Sequence, residues 1–119
     1  MRRWYSRPVL FVADVQRALQ FYVDSMGFSK TWHEDDGACK VCQVERAGCE
    51  IILCEELGRT DRARLFVSLD AQGFRDLKQR TTDRSIPHDQ IWWGYDVVRI
   101  REPDGNELLF PLPGDLAAG

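Results

Sequence analysis

From Val9 onward the chain alternates short apolar runs with polar turns, and the spacing of the apolar positions changes along the way. VLFV at Val9 to Val12 is continuous and reads as a buried strand. Asp14 follows, with a carboxylate suited to accept hydrogen bonds from the free amides of a helix's first turn. Val15, Ala18, Leu19, Tyr22 and Met26 then recur at helical spacing, and Gly27 sits where a glycine would end the helix. The same succession returns in RLFVSLDAQGFRDLKQ. LFV recurs at Leu10 and Leu65, Asp at Asp14 and Asp70, Gln at Gln16 and Gln72, and an apolar residue at Phe21 and Leu77. A second helix is predicted from Ala71 to about Arg80, anchored by Phe74 and Leu77 and weakened by Gly73.

Behind each helix lie strand-like runs separated by turn residues. In the first half they are Phe28 to His33, the acidic turn Glu34-Asp35-Asp36-Gly37, Ala38 to Val44, the turn Glu45 to Gly48, and Cys49 to Glu55. In the second they are Ser85 to about Ile91, Tyr95 to Glu102, the turn Pro103-Asp104-Gly105-Asn106, and Glu107 to Leu112. The order is β-α-β-β-β twice, with Glu56 to Arg62 as the link. Neither unit could bury a sheet face alone. The predicted class is therefore α+β: two βαβββ modules, about 7–55 and 63–113, forming a curved mixed sheet around a cleft within one domain of residues 1–119.

Charge narrows the partners. Sixteen Lys and Arg against 19 Asp and Glu give −3, dispersed along the chain, so no basic stripe exists for nucleic acid. No apolar run approaches the roughly 20 residues that span a bilayer, and MRRWYSRPVLFVADV lacks an A-x-A-like cleavage site. Met1 is expected to be the mature start, in the cytoplasm, with no membrane partner. All four cysteines, Cys39, Cys42, Cys49 and Cys54, fall in one short stretch containing C-x-x-C. On strands, residues three or five apart face opposite ways, so four thiolates could not converge on one ion. Buried, reduced thiols are the expectation.

RPVLFVADVQRALQFYVDSMGF, CEIILCEE and WWGYDVVRIREPDGNELLF, in this order and spacing, resemble the glyoxalase/bleomycin-resistance/dioxygenase superfamily, also called vicinal oxygen chelate. The likeness runs from about Arg7 to Leu112. It implies either enzymes that polarise a substrate's vicinal oxygens with a divalent metal, or metal-free dimeric proteins of the bleomycin-resistance type that sequester a drug. Laid on the family pattern, the four ligand positions fall at Arg7, Leu53, Arg64 and Leu109, none of which can hold a hard cation. The resemblance therefore implies the branch without cofactor: a non-enzymatic, homodimeric protein that binds a small molecule, an antibiotic among the candidates. Displaced ligands such as Glu50, Glu107 or His88 would instead make it a metal-dependent lyase, isomerase, dioxygenase or thiol transferase. A filled cleft would make it an interaction module.

The residues expected to line the pocket are Trp93, Trp92, Phe11, Phe66, Arg7, Arg64, Arg99 and Leu109. Trp93-Gly94 resembles the aromatic that drug-sequestering members place against a flat ligand. If the tryptophans are extended, one faces the core or cleft and the other solvent or a partner chain. Phe11 and Phe66 hold matching places in the two repeats and either line the cleft or pack in the core. Arg7, Arg64 and Arg99 either pair with carboxylates or meet an anionic ligand, which sits uneasily with the cationic bleomycins. His33 and His88 lie near turns. No phosphate loop, nucleophile elbow or activated cysteine is present in the sequence.

Overall fold

The computed structural model describes residues 4–35, 40–56, 58–59 and 61–114, without the side chains of residues 33–35. Asp36, Gly37, Ala38 and Cys39 lie outside the described residues, as do the side chains of His33, Glu34 and Asp35. The chain divides into two compact units, Met1–Asp61 and Arg62–Gly119. Each carries one helix and one four-stranded mixed sheet, an α+β architecture.

The first unit comprises β1 (Val9–Val12), α1 (Val15–Leu19, continued by a π-helical segment Gln20–Ser25), β2 (Ser29–Asp35), β3 (Lys40–Arg46) and β4 (Cys49–Glu55). Its sheet runs β1-β4-β3-β2, with β1 parallel to β4 and the remaining pairs antiparallel. Asp14 caps α1, its Oδ1 accepting from the Gln16 and Arg17 amides at 2.9 and 3.3 Å. Glu55 at the end of β4 accepts from the Val15 amide at 2.9 Å, tying helix to sheet. The sequence pattern predicts an ordinary α-helix here, but the second half is wound more loosely. The Met26 amide donates to the Phe21 carbonyl, five residues back, at 2.9 Å, and Tyr22 and Met26 stay buried. Gly27, at φ +81°, ends the helix, as its position in the sequence implied.

The second unit comprises β5 (Arg64–Phe66), α2 (Ala71–Asp83), β6 (Asp89–Trp92), β7 (Asp96–Arg101) and β8 (Glu107–Pro111), with the corresponding order β5-β8-β7-β6. Asp70 caps α2 by accepting from the Gly73 amide at 2.7 Å, and a Cβ at Gly73 would come within 3.1 Å of that carboxylate. The glycine is thus part of the cap. The helix runs three residues past the predicted end, to Asp83, because Thr81 is a third buried anchor beside Phe74 and Leu77. Strand β6 starts later than the predicted Ser85, whose φ of +52° turns the chain before Pro87.

Register shows that the two units share one plan. Leu10 pairs with Leu53, and Leu65 with Leu108. The side facing α1 carries Leu10, Val12, Cys42, Val44, Ile51 and Leu53, all at 2% exposure or less. In the second unit the matching side carries Leu108, Val98, Ile100 and Phe110, buried at 5% or less. Burial of such side chains, worth roughly 1.5–3 kcal/mol each, supplies most of the stability of each unit.

The turn Pro103-Asp104-Gly105-Asn106 has a structural task. Glu102 accepts from the Asp104 and Asn106 amides at 2.7 and 3.0 Å, while Asn106 Oδ1 accepts from the Ala63 amide at 2.8 Å. The same turn thereby folds the hairpin and fastens β5 to β8.

Candidate functional site

On the face of the second sheet turned away from α2, strand alternation places Arg64 and Phe66 on β5, Glu107 and Leu109 on β8, and Val97, Arg99 and Arg101 on β7. One end of this face is charged. Glu107 is 9% exposed and both its oxygens are taken: Arg64 Nε donates to Oε1 at 2.7 Å and Arg101 Nε to Oε2 at 3.0 Å. Arg99 Nη1 lies 3.5 Å from Oε2 and also grips Asp89 through Nε, at 3.0 Å, and Nη2. Burial pushes the Glu107 carboxyl up, but the hydrogen bonds from Arg64 and Arg101, with the charges of Arg64 and Arg99, together hold it below the usual range. The bond from Arg99 likewise lowers Asp89.

The other end is aromatic. Phe66 lies 5.6 Å from Trp93 and 5.6 Å from Tyr95, ring centre to ring centre, tilted by 40° and 51°. All three rings are exposed, Phe66 by 41%, Trp93 by 44% and Tyr95 by 62%. Gly94, at φ +70°, lets the chain bend between Trp93 and Tyr95. An exposed cluster of rigid rings beside fixed charges can stack a flat group and orient a polar one.

Five of the eight expected residues, Phe66, Trp93, Arg64, Arg99 and Leu109, thus share this face. Leu109 requires a correction: it is fully buried between its register partners Phe66 and Arg99, so it is floor and offers no contact surface. Trp92 requires another. Neither tryptophan is a core residue, and Trp92, at 73% exposure and with the strand parity of Gln90, lies apart from the cluster. Tyr95 and Arg101 were not expected. Tyr95 was hidden by the turn geometry at Gly94, whereas Arg101, two residues from Arg99 on one strand, was legible from alternation alone.

The corresponding face of the first unit holds Arg7 and Phe11 and is built differently. Arg7 Nη1 donates to Gln43 Oε1 at 2.6 Å, and Trp32 Nε1 donates to the same oxygen at 3.0 Å. The Arg59 guanidinium stands 3.9 Å over the Phe11 ring, so the face of that ring is already covered. Cys42 is fully buried and its thiol is pushed up to about 11 by burial. Cys49 is raised by burial too, then by Glu45.

Register also relocates two positions expected for metal ligands. Leu53 faces α1, and the residue of β4 equivalent to Leu109 is Cys54; the residue equivalent to Arg7, three before the paired leucine, is Arg62, since Arg64 matches Val9. The resulting set does not fit a divalent cation. Glu107, the carboxylate beside it, is surrounded by three guanidinium groups that repel one. His88 is in a loop with Nδ1 at 2.9 Å from the Ile86 carbonyl, and Glu50 stands opposite Glu45 in the other unit. Among the described residues no three His, Cys, Asp or Glu side chains gather as a metal group would require.

The sequence matches a family model described as "Glyoxalase superfamily protein" over residues 4–113. It is 26% identical to the bleomycin resistance protein of Geobacillus stearothermophilus, over 88% of this chain and 93% of the relative. Its structure is similar to that of an antibiotic binding protein, TnmS3 of Streptomyces sp. CB03234, with a TM-score of 0.76 and 19% identity over 96% of this chain and 99% of the other. A lactoylglutathione lyase of Agrobacterium tumefaciens is similar as well, with a TM-score of 0.69 and 20% identity over 98% of each chain.

Proposed function

From the membership of this chain in the glyoxalase superfamily, which the match over residues 4–113 shows, we propose that it is a small-molecule-binding protein of the bleomycin-resistance type, which sequesters its ligand without transforming it. The observation that carries this reading is the exposed ring cluster Phe66, Trp93 and Tyr95. It offers a stacking surface, while the neighbouring carboxylate, Glu107, is held ionised between arginines and cannot serve as a general acid, or as a base without losing its ion pairs. The likeness to a bleomycin resistance protein and to an antibiotic binding protein supports an antibiotic as ligand. In this reading the ligand contacts are Phe66, Trp93, Arg64 and Arg99, joined by Tyr95 and Arg101, and no cofactor takes part. The protein acts as a cytoplasmic homodimer, with both units in one domain and the exposed indole of Trp92 against the partner chain. No described helix is long and apolar enough to cross a membrane.

Titration with bleomycin and a panel of planar antibiotics, read by tryptophan fluorescence and by melting temperature, tests the reading. Saturable quenching with a raised melting temperature, lost in Trp93→Ala, is expected. Recovery of a stoichiometric divalent metal with the protein, or chemical conversion of the bound compound, would overturn it.

A further inference from the structure

Arg64 and Arg101 use only their Nε atoms on Glu107, one to each oxygen, and their side chains remain 48% and 61% exposed. The carboxylate therefore orients both guanidinium groups while their η nitrogens face outward. Three arginines stand here against two carboxylates, Glu107 and Asp89, leaving one positive charge in excess. Paired, pre-oriented guanidinium forks are suited to an oxyanion. Arg64 and Phe66 are alternate residues of one strand on one face, about 7 Å apart along it. That is about the span from the centre of an aromatic ring, through an attached carboxylate, to a guanidinium carbon.

Resting on the binding reading above, we propose that the ligand is a planar aromatic compound carrying an acidic group, its ring stacked on Phe66, Trp93 and Tyr95 and its carboxylate or equivalent oxyanion held by the η nitrogens of Arg64 and Arg101. This sets the site against a cationic drug. A cationic ligand would meet the excess positive charge at the end of the face where the polar group must lie.

Calorimetric titration with 2-naphthoate, its methyl ester and the matching 2-naphthylmethyl trimethylammonium ion separates the alternatives. The acid is expected to bind at least tenfold tighter than the ester and the cation, and to weaken as salt is raised. Arg64→Gln with Arg101→Gln should abolish the preference for the acid, bringing it to the affinity of the ester or below, since Glu107 and Asp89 then outnumber Arg99, whereas Phe66→Ala should weaken acid and ester alike and keep the preference. Arg64→Lys with Arg101→Lys keeps the charge and should recover only part of the preference, because the fork is lost. Equal or tighter binding of the cation or ester overturns the proposal while leaving sequestration intact. Failure of all three compounds to bind overturns the proposal, and if the antibiotic panel fails as well the binding reading falls with it.

Discussion

Phe11 and Phe66 occupy one position in two copies of the same plan, yet one ring is capped by Arg59 at 3.9 Å and the other lies open between Trp93 and Tyr95. The residues beside them diverge in the same sense. In the first unit a neutral amide, Gln43, collects bonds from Arg7 and Trp32; in the second a carboxylate, Glu107, collects them from Arg64 and Arg101. The sides facing the helices do not diverge in this way, since Leu10 with Leu53 and Leu65 with Leu108 repeat the same pairing beneath Asp-capped helices. Close packing against a helix tolerates little change, whereas the opposite face of a sheet can change its charge and ring content without unfolding anything. The contrast therefore lies in the faces turned away from the helices, where of these two positions the second unit alone leaves its Phe ring open beside fixed charges.

The largest effects should fall where the units agree. Leu53→Ala and Leu108→Ala each empty a fully buried site, 0% and 1% exposed, and should each cost about 3 kcal/mol in urea unfolding. A large inequality between them would break the claim of a shared core. Where the units differ, costs should differ. Glu107→Gln leaves Arg64 and Arg101 without their counter-charge, Arg99 keeping Asp89, and should cost about 2 kcal/mol, less than a fully buried pair because Arg64 and Arg101 are half exposed. Gln43→Leu removes neutral acceptance of two bonds and should cost about 1 kcal/mol. Equal costs, measured by the same unfolding curves, would erase the distinction drawn between the two faces.

Much of the plan was legible in the chain. The two Asp caps and the repeated LFV marked the helices, the strands and their order, because local hydrogen bonding and short apolar runs act over a few residues. Four of the eight expected contact residues, Arg64, Phe66, Arg99 and Leu109, came together because they share strand parity on β5, β7 and β8, and Trp93 joins them from the bend beyond β6. Other features depend on pairs distant in sequence. That Leu109 is floor follows from flanking by Phe66 and Arg99, 43 and 10 residues away. That Arg59 covers Phe11 depends on where the chain returns after β4. The position of Leu53 was misread because a shift of one residue along a strand exchanges its faces, and only pairing with Leu10 decides which applies.

The smallest effect concerns the turns, which each unit bridges with a glutamate in a different setting. Glu45 accepts from the Gly48 amide at 3.1 Å in the open, whereas Glu102, 2% exposed, accepts from two amides through Oε1 and has Oε2 buried without a partner among the described residues. Burial raises the Glu102 carboxyl above its ordinary 4.5, the charge of Asp104 adds to the shift, and the backbone donors offset only part of it. A carboxyl raised in the folded state stabilises the fold fully below its unfolded value and loses that contribution as pH rises through the folded value. Glu107 behaves oppositely: its lowered carboxyl contributes above about 4.5 and loses that contribution as pH falls through the folded value. Glu102→Gln keeps an oxygen for the two amides and cannot ionise, so its stability should equal or exceed the parent's by up to about 1 kcal/mol at neutral pH, with the difference vanishing on the acid side. Glu107→Gln should show the reverse, a deficit at neutral pH that narrows in acid. Melting temperatures of the parent and both variants from about pH 3 to 8 decide the matter. Parallel curves for the two variants would mean that the buried turn carboxyl and the arginine-bound one share a single environment, against the geometry that separates them.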